Sequence, residues 1–146
     1  MRFEQTITVD SPKATVAAFL EDVPAVAACV PGVQDFEETG SDTYSGSLKV
    51  RLGPVAFTVA GDARVSLTED GAWRMSGEGR DRRIGAGATV TLEARLAELG
   101  PGTTEVHIDA DIQFSGRLAE LGQALIRRKA DALVRDFARN LQQALA

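Results

Sequence analysis

The chain opens on strict alternation. Phe3, Gln5, Ile7 and Val9 fall on one side, Glu4, Thr6 and Thr8 on the other, as in a strand with one wet face. Asp10-Ser11-Pro12 then reads as a helix start, with Ser11 as the cap and Pro12 at the first helical position. That short helix runs to about Leu20. Asp22 caps a second one, which reaches about Cys29 and is ended by Pro31-Gly32.

From Val33 to Gly116 the period is mostly two. Turn signals interrupt it at Gly40-Ser41-Asp42, Gly53-Pro54, Asp70-Gly71, a looser Gly79–Gly87 region, and Gly100-Pro101-Gly102. Between them, Tyr44, Gly46, Leu48, Val50 and Leu52 share a face. So do Val55, Phe57, Val59, Gly61, Ala63, Val65 and Leu67, and then Trp73, Met75, Gly77 and Gly79. The last two runs are Ala86, Ala88, Val90, Leu92, Ala94 and Leu96, and Val106, Ile108, Ala110, Ile112 and Phe114. The opposite faces carry Lys49, Arg51, Thr58, Asp62, Arg64, Thr89, Thr91, Glu93, Arg95, Glu105, His107, Asp109 and Asp111. Sequential strands joined by short turns make an antiparallel meander.

After Gly116 the period changes. Leu118, Leu121, Leu125, Ile126, Leu133, Val134, Phe137, Leu141 and Leu145 recur at three and four, which predicts one long amphipathic helix of about thirty residues. Leu118, Leu121 and Leu125 lie on a stripe rotated from that of Ile126, Leu133, Phe137 and Leu141. An antiparallel sheet with one apolar face must cover it, and only this helix is long enough. The expected fold is therefore α+β, a helix grip. A seven-stranded curved antiparallel sheet wraps a long C-terminal helix, and two short helices follow the first strand, all in one domain over residues 1–146.

The predicted inner sheet face is rich in small residues: Gly46, Gly61, Ala63, Gly77, Gly79, Ala86, Ala88, Ala94 and Ala110. Glycine inside a strand weakens it by roughly 0.5–1 kcal/mol relative to alanine. Two explanations stand side by side. Glycines permit sharp bends and close approach of the backbone, and missing side chains leave room for an apolar ligand. A mixture of bends and a cavity is expected.

Composition narrows the choice. The 146 residues carry a net charge of −5, against nucleic acid as a partner. Cys29 is the one cysteine, so no internal disulfide forms and a reducing cytosol suits the chain. The start lacks the apolar run of a signal peptide, and no stretch approaches the ~18 apolar residues of a membrane span. The expected location is cytoplasmic, with any membrane contact peripheral and at the inner face.

Candidate chemistry is sparse. His107, the sole histidine, falls on the outer strand face between Val106 and Ile108. Asp109 and Asp111 share that wet face. Cys29 sits in an apolar context with no basic neighbour to activate it. Gly85-Ala86-Gly87 opens a strand rather than a helix, so it is no phosphate loop. No metal constellation, nucleophile elbow or cofactor motif appears. Two basic clusters remain: Arg80, Arg82 and Arg83 in one loop, and Arg127, Arg128 and Lys129 on the helix. They are the candidate patch for an acidic partner or anionic headgroups, against an ordinary charged surface.

Taken together, several segments resemble the carbon monoxide dehydrogenase G-subunit family. They are the Phe3–Val9 strand with Ser11-Pro12, then Phe19-Leu20, Asp22-Val23-Pro24 and Cys29-Val30-Pro31-Gly32-Val33. Tyr44-Ser45-Gly46, Val50-Arg51-Leu52-Gly53-Pro54-Val55, Ala60-Gly61-Asp62-Ala63 and Gly77-Glu78-Gly79-Arg80-Asp81 continue the likeness. So do Gly102-Thr103-Thr104-Glu105-Val106, Gly116-Arg117-Leu118 through Gly122, and Phe137-Ala138-Arg139-Asn140-Leu141. The proline–glycine corner and the Gly-Pro-Val strand start are the specific parts. The resemblance implies the fold shared by START domains, the birch-pollen allergen type and polyketide cyclases. It also implies a pocket for a quinone or similar lipid, association with a molybdenum-containing hydroxylase, and recruitment of that enzyme to the membrane. Longer relatives carry a C-terminal membrane-seeking extension. Here the sequence reaches Ala146 directly after the grip helix, so membrane contact is expected through the basic loop, the helix face or the pocket mouth.

The expected cavity lining starts with Phe19, Val30, Tyr44, Leu48 and Val50, and continues with Phe57, Val59, Met75, Val90 and Leu92. Ile108, Ile112, Phe114, Leu121 and Leu125 complete it. Arg80, Arg82, Arg83, Arg127 and Arg128 form the expected partner or membrane patch. Three functions follow from this: a carrier of a hydrophobic ligand without enzymatic activity, a docking subunit that makes little use of its cavity, and a cyclase- or hydratase-type enzyme. The last needs inward polar groups, and the inner face offers little beyond Tyr44, Thr103 and Trp73.

Overall fold

A computed structural model describes residues 1–146. Strand β1 (Arg2–Val9) leads into helices α1 (Lys13–Glu21) and α2 (Val23–Ala28). Six strands follow: β2 (Val33–Gly40), β3 (Thr43–Leu52), β4 (Val55–Leu67), β5 (Trp73–Asp81), β6 (Ala86–Gly100) and β7 (Thr103–Gly116). A short 3-10 turn (Ala119–Leu121) precedes the long helix α3 (Gln123–Leu145). The sheet order is β1-β7-β6-β5-β4-β3-β2, and every pair is antiparallel. The meander read from the alternation is therefore present, closed at one end by β1 pairing back onto β7.

Local chemistry accounts for the element ends. The Asp22 carboxylate accepts from the Ala25 N–H at 3.2 Å, capping α2 as expected. Ser11 does not cap α1. Helix α1 starts one residue later, with Pro12 in the cap position and no side-chain cap bond. Ser11 is buried, and its carbonyl accepts from the Thr104 hydroxyl at 2.7 Å. Strand β2 slips register between Gln34 and Glu37, where Asp35 takes a φ of 53°, a bulge that the alternation did not reveal.

The terminal helix is shorter than its hydrophobic pattern predicts. Gly122, at φ 85° and ψ 150°, breaks it from the 3-10 turn. Leu118 and Leu121 thus belong to a separate segment bracketed by Gly116 (φ 62°) and Gly122. Of the rotated stripe in the sequence, Leu118 and Leu121 lie outside α3, and Leu125 lies within its first turn.

Helix α3 is held at its flanks. Its backbone neighbours are β1, α1 and β3. Gln5 donates to Asp131 at 2.7 Å, Asp10 N–H donates to Gln142 at 2.7 Å, and Asn140 donates to the Cys29 carbonyl at 3.0 Å. The Arg127 guanidinium lies 5.3 Å from the centre of the Phe3 ring, a cation–π contact. No helix is long and apolar enough to cross a membrane.

Candidate functional site: the hollow under the long helix

Register assembles the small residues into rows across the sheet. One row runs Gly46, Gly61, Gly79, Ala88, Phe114, and the next Tyr44, Ala63, Gly77, Val90, Ile112. A Cβ on Gly61 would overlap the Glu78 carbonyl and lie 2.7 Å from the Gly79 Cα. One on Gly77 would lie 2.8 Å from the Asp62 carbonyl oxygen. These two glycines are required by close backbone approach between β4 and β5. Gly46 is different, since its nearest neighbour would sit at 3.4 Å, an ordinary contact. Close backbone approach, the first of the two sequence explanations, therefore accounts for Gly61 and Gly77.

The apolar residues divide into three clusters instead of one continuous core. The largest, around Val9, Val16, Trp73 and Leu141, fills the end under α1 and α2. A second, around Leu52, Phe57, Ala86 and Leu118, fills the opposite end. A third joins Phe3, Ala110 and Ile126 along the β1 side. Phe114 links the second and third clusters and Leu92 the first and third. Between the first two lies a strip formed by the glycines and alanines of the two rows together with Leu48 and Val90, and Leu133 stands on α3. None of these three side chains belongs to a cluster, and all are half-buried. Leu133 stands seven residues after Ile126 and four before Phe137, at the centre of the inward arc of α3.

The fifteen residues expected to line a cavity distribute around this strip. Phe19, Tyr44, Met75, Leu92 and Ile108 belong to the wall under α1 and α2. Val50, Phe57, Val59, Phe114, Leu121 and Leu125 belong to the opposite wall, and Ile112 to the third cluster. Leu48 and Val90 lie in the strip itself. Val30, also half-buried and outside the clusters, sits in the loop before β2, where Lys49 N–H donates to the Gly32 carbonyl at 2.9 Å. Phe57 is only 1% exposed, so it supports its wall rather than presenting a surface. Leu133 was not among the expected residues, although its place at the middle of the apolar stripe marked it.

The walls are chemically quiet. Tyr44 stacks on Phe36 with ring centroids 5.4 Å apart, and burial pushes its phenol pKa up. Trp73 donates to the Leu20 carbonyl at 2.9 Å. Cys29 is buried, its thiol 3.5 Å from the Ala25 carbonyl, and burial raises its pKa, the mark of an unreactive thiol. The polar chemistry lies outside. His107 is exposed and meets Glu105 at 2.6 Å. Asp109 pairs with Arg2 at 2.8 Å, and Glu93 with Arg74 at 2.8 Å. Arg95 joins Glu93 to Asp70, and the Thr68 hydroxyl and Arg95 together hold the Asp70 carboxyl well below the usual range. No three His, Cys, Asp or Glu side chains gather as metal ligands would.

The basic residues do not form one patch. Arg82 and Arg83 occupy the turn after β5, and Arg80 the last exposed position of that strand. Arg127 is committed to Phe3 and to the Arg2 carbonyl, 3.1 Å away, whereas Arg128 is exposed.

Residues 6–146 match the model of a family described as CoxG, the G subunit of carbon monoxide dehydrogenase. A search among curated proteins returns no match. Among solved structures, a conserved protein from Geobacillus kaustophilus superposes with a TM-score of 0.89 at 17% identity, covering 99% of this chain and 95% of that one. A START superfamily protein from Mycobacterium smegmatis gives 0.74 at 11% identity, with 99% and 96% covered. The ZhuI aromatase/cyclase from a Streptomyces species gives 0.68 at 16% identity, with 99% and 93% covered. At such identities the likeness establishes the START/Bet v 1-like fold.

Proposed function

The chain belongs to the CoxG family, the G subunit of carbon monoxide dehydrogenase, and from that premise we propose that it is a carrier without enzymatic activity. Its hollow takes a hydrophobic, quinone- or lipid-like molecule in the service of a molybdenum-containing hydroxylase of the carbon monoxide dehydrogenase type. The single observation supporting this reading is the strip of small residues between two apolar clusters, with Leu48, Val90 and Leu133 half-buried and outside both. An apolar molecule placed there gains roughly 25 cal/mol for each Å² of apolar surface withdrawn from water, and it also covers protein surface that the fold leaves uncovered. The protein works in the cytoplasm and meets the inner face of the membrane peripherally.

The test is a titration with a short-chain quinone, read by quenching of Trp73, the only tryptophan, alongside solvent extraction and mass measurement of the purified protein. Saturable quenching in the native chain, with quinone binding lost in Leu133→Trp, which fills the strip, supports the carrier. A protein that neither quenches saturably nor retains an apolar molecule overturns it. Because Leu133→Trp adds a fluorophore, its binding is read by equilibrium dialysis of the quinone.

A second reading, docking to the hydroxylase with little use of the hollow, is favoured by one observation: three arginines crowd the end of β5 and its turn in a chain of net charge −5. Charge reversal at Arg80, Arg82 and Arg83 then abolishes capture of the partner while quinone binding persists. An enzymatic cyclase reading finds little to work with, since Tyr44 supplies the one ionisable side chain among the fifteen residues.

A further inference from the structure

On the outer face of the sheet, Arg80 of β5, Gly87 of β6 and Ser115 of β7 stand in one cross-strand row. Gly87 is buried, and a Cβ on it would lie 2.7 Å from the Ser115 hydroxyl oxygen and 3.8 Å from the Arg80 Cγ. The side chains on either side therefore lean over a floor made of bare backbone. Beside this row lies a depression of about 280 Å³, lined by Arg80, Asp81, Arg82, Gly85, Ala86 and Ser115.

The charges around it do not cancel locally. Asp81 is 4% exposed, and its carboxylate is occupied elsewhere. It accepts from the Thr58 N–H at 2.9 Å, from the Arg83 N–H at 3.2 Å and from the Arg83 guanidinium at 3.3 Å. Of the three arginines, only Arg83 makes an ion pair. Glu78, two residues before Arg80 on the same face, is exposed and joins no ion pair. The turn is firmly placed: Ile84 packs on the Leu52 and Phe57 cluster, and the Gly85 carbonyl accepts from the Arg117 N–H at 3.0 Å. Two arginines outside any ion pair and a serine thus line one depression in a chain of net charge −5.

We propose that this cradle is an anion site that takes a phosphate group, as a monoester or diester. Planar guanidinium forks match phosphate oxygens in pairs, and the serine hydroxyl supplies a further donor. The site lies at the β5–β6 turn, with Arg80 and Ser115 on the outer face, and does not depend on what the hollow binds. Its source is either a free phosphate compound or the headgroup of an anionic lipid.

Nitrogen–proton correlation spectra of the full chain, titrated with inorganic phosphate at constant ionic strength, test the site. Flotation with phosphatidylglycerol and with phosphatidylcholine vesicles tests the source. Saturable shifts at the Gly85, Gly87 and Ser115 amides, not reproduced by chloride, are expected. They should weaken at least tenfold in Arg80→Gln/Arg82→Gln and stay unchanged in Arg128→Gln. Phosphate binding without flotation assigns a free phosphate compound. Flotation confined to phosphatidylglycerol vesicles and lost in the double variant assigns the headgroup. Absence of both responses, shifts reproduced by chloride, or responses unaltered in the double variant overturn the proposal. Both substitutions are at exposed positions, so circular dichroism should show an unchanged fold.

Discussion

Gly61 of β4 and Gly79 of β5 stand directly opposite each other, and a methyl group on either would strike the neighbouring strand. Gly61→Ala forces backbone apart rather than displacing a side-chain tip, so it should cost about 1–3 kcal/mol, the usual range for overpacking. Gly46→Ala meets only ordinary contacts. It should leave stability unchanged or raise it by about 0.5–1 kcal/mol, the strand preference for alanine over glycine. Urea denaturation of the two variants separates these cases. Equal midpoints would contradict the bent sheet.

Two leucines on one helix should respond unequally to the same truncation. Leu141 is fully buried in the cluster under α1 and α2, and Leu141→Ala should cost about 2–5 kcal/mol. Leu133 faces the strip and fills no cluster, so Leu133→Ala should cost less than about 1.5 kcal/mol, since little close packing is lost. Chemical denaturation without added ligand measures both. A large cost at Leu133 would mean that the helix lies down on the sheet.

Asp81 gives the molecule an acid-sensitive contact. The Thr58 backbone N–H is the main cause of its lowered pKa; burial opposes the shift, and the Arg83 guanidinium adds to it. A carboxylate depressed on folding contributes stability above its unfolded pKa, near 3.9, and that contribution is lost as pH falls through the lower folded value. Asp81→Asn should therefore be less stable at pH 7 and show a flatter loss of stability below about pH 4. Arg83→Gln should do less, because the backbone donor remains. Urea midpoints between pH 7 and pH 3 test the order.

Gly122 separates conformational cost from crowding. A Cβ there would meet nothing within 4 Å, yet φ 85° and ψ 150° suit glycine almost alone. Gly122→Ala should cost about 1–3 kcal/mol from backbone strain. If the break relaxes into continuous helix instead, circular dichroism will show added helicity and Leu118 will leave its cluster. Retained stability with unchanged helicity would contradict this backbone geometry.

The fold was readable because β4, β6 and β7 alternate over long runs, and one long amphipathic helix can cover only one face. The end of that helix was less readable. Leu118 and Leu121 carry the same three-and-four spacing as the helix, and spacing cannot show that Gly122 has left helical geometry. The rotated stripe was the available signal. Ser11 carries a capping side chain but sits under Thr104, a tertiary contact that local propensity does not contain. Asp35 sits in a bulge of β2, an edge strand, where pairing on one side leaves register loosely specified.

The candidate site was legible as a face and not as a space. Alternation placed Leu48, Val90 and Phe57 together on the concave side, but it cannot tell a buried wall residue such as Phe57 from the half-buried Leu48. That distinction depends on tertiary packing: Phe57 is covered by Leu52, Ala86 and Leu118, and Leu48 joins no cluster. Ser115 went unnoticed because its partners, Arg80 and Gly87, meet it only through strand register.

The curvature of the sheet comes from atoms that are missing, at Gly61 and Gly77. The depth of the concavity is thus written into the main chain, while Leu48, Val90 and Leu133 merely upholster it. On the proposed carrier reading, exchanging those three for larger or smaller side chains retunes which guest is accepted without touching the glycines, so selectivity and foldedness rest on different residues.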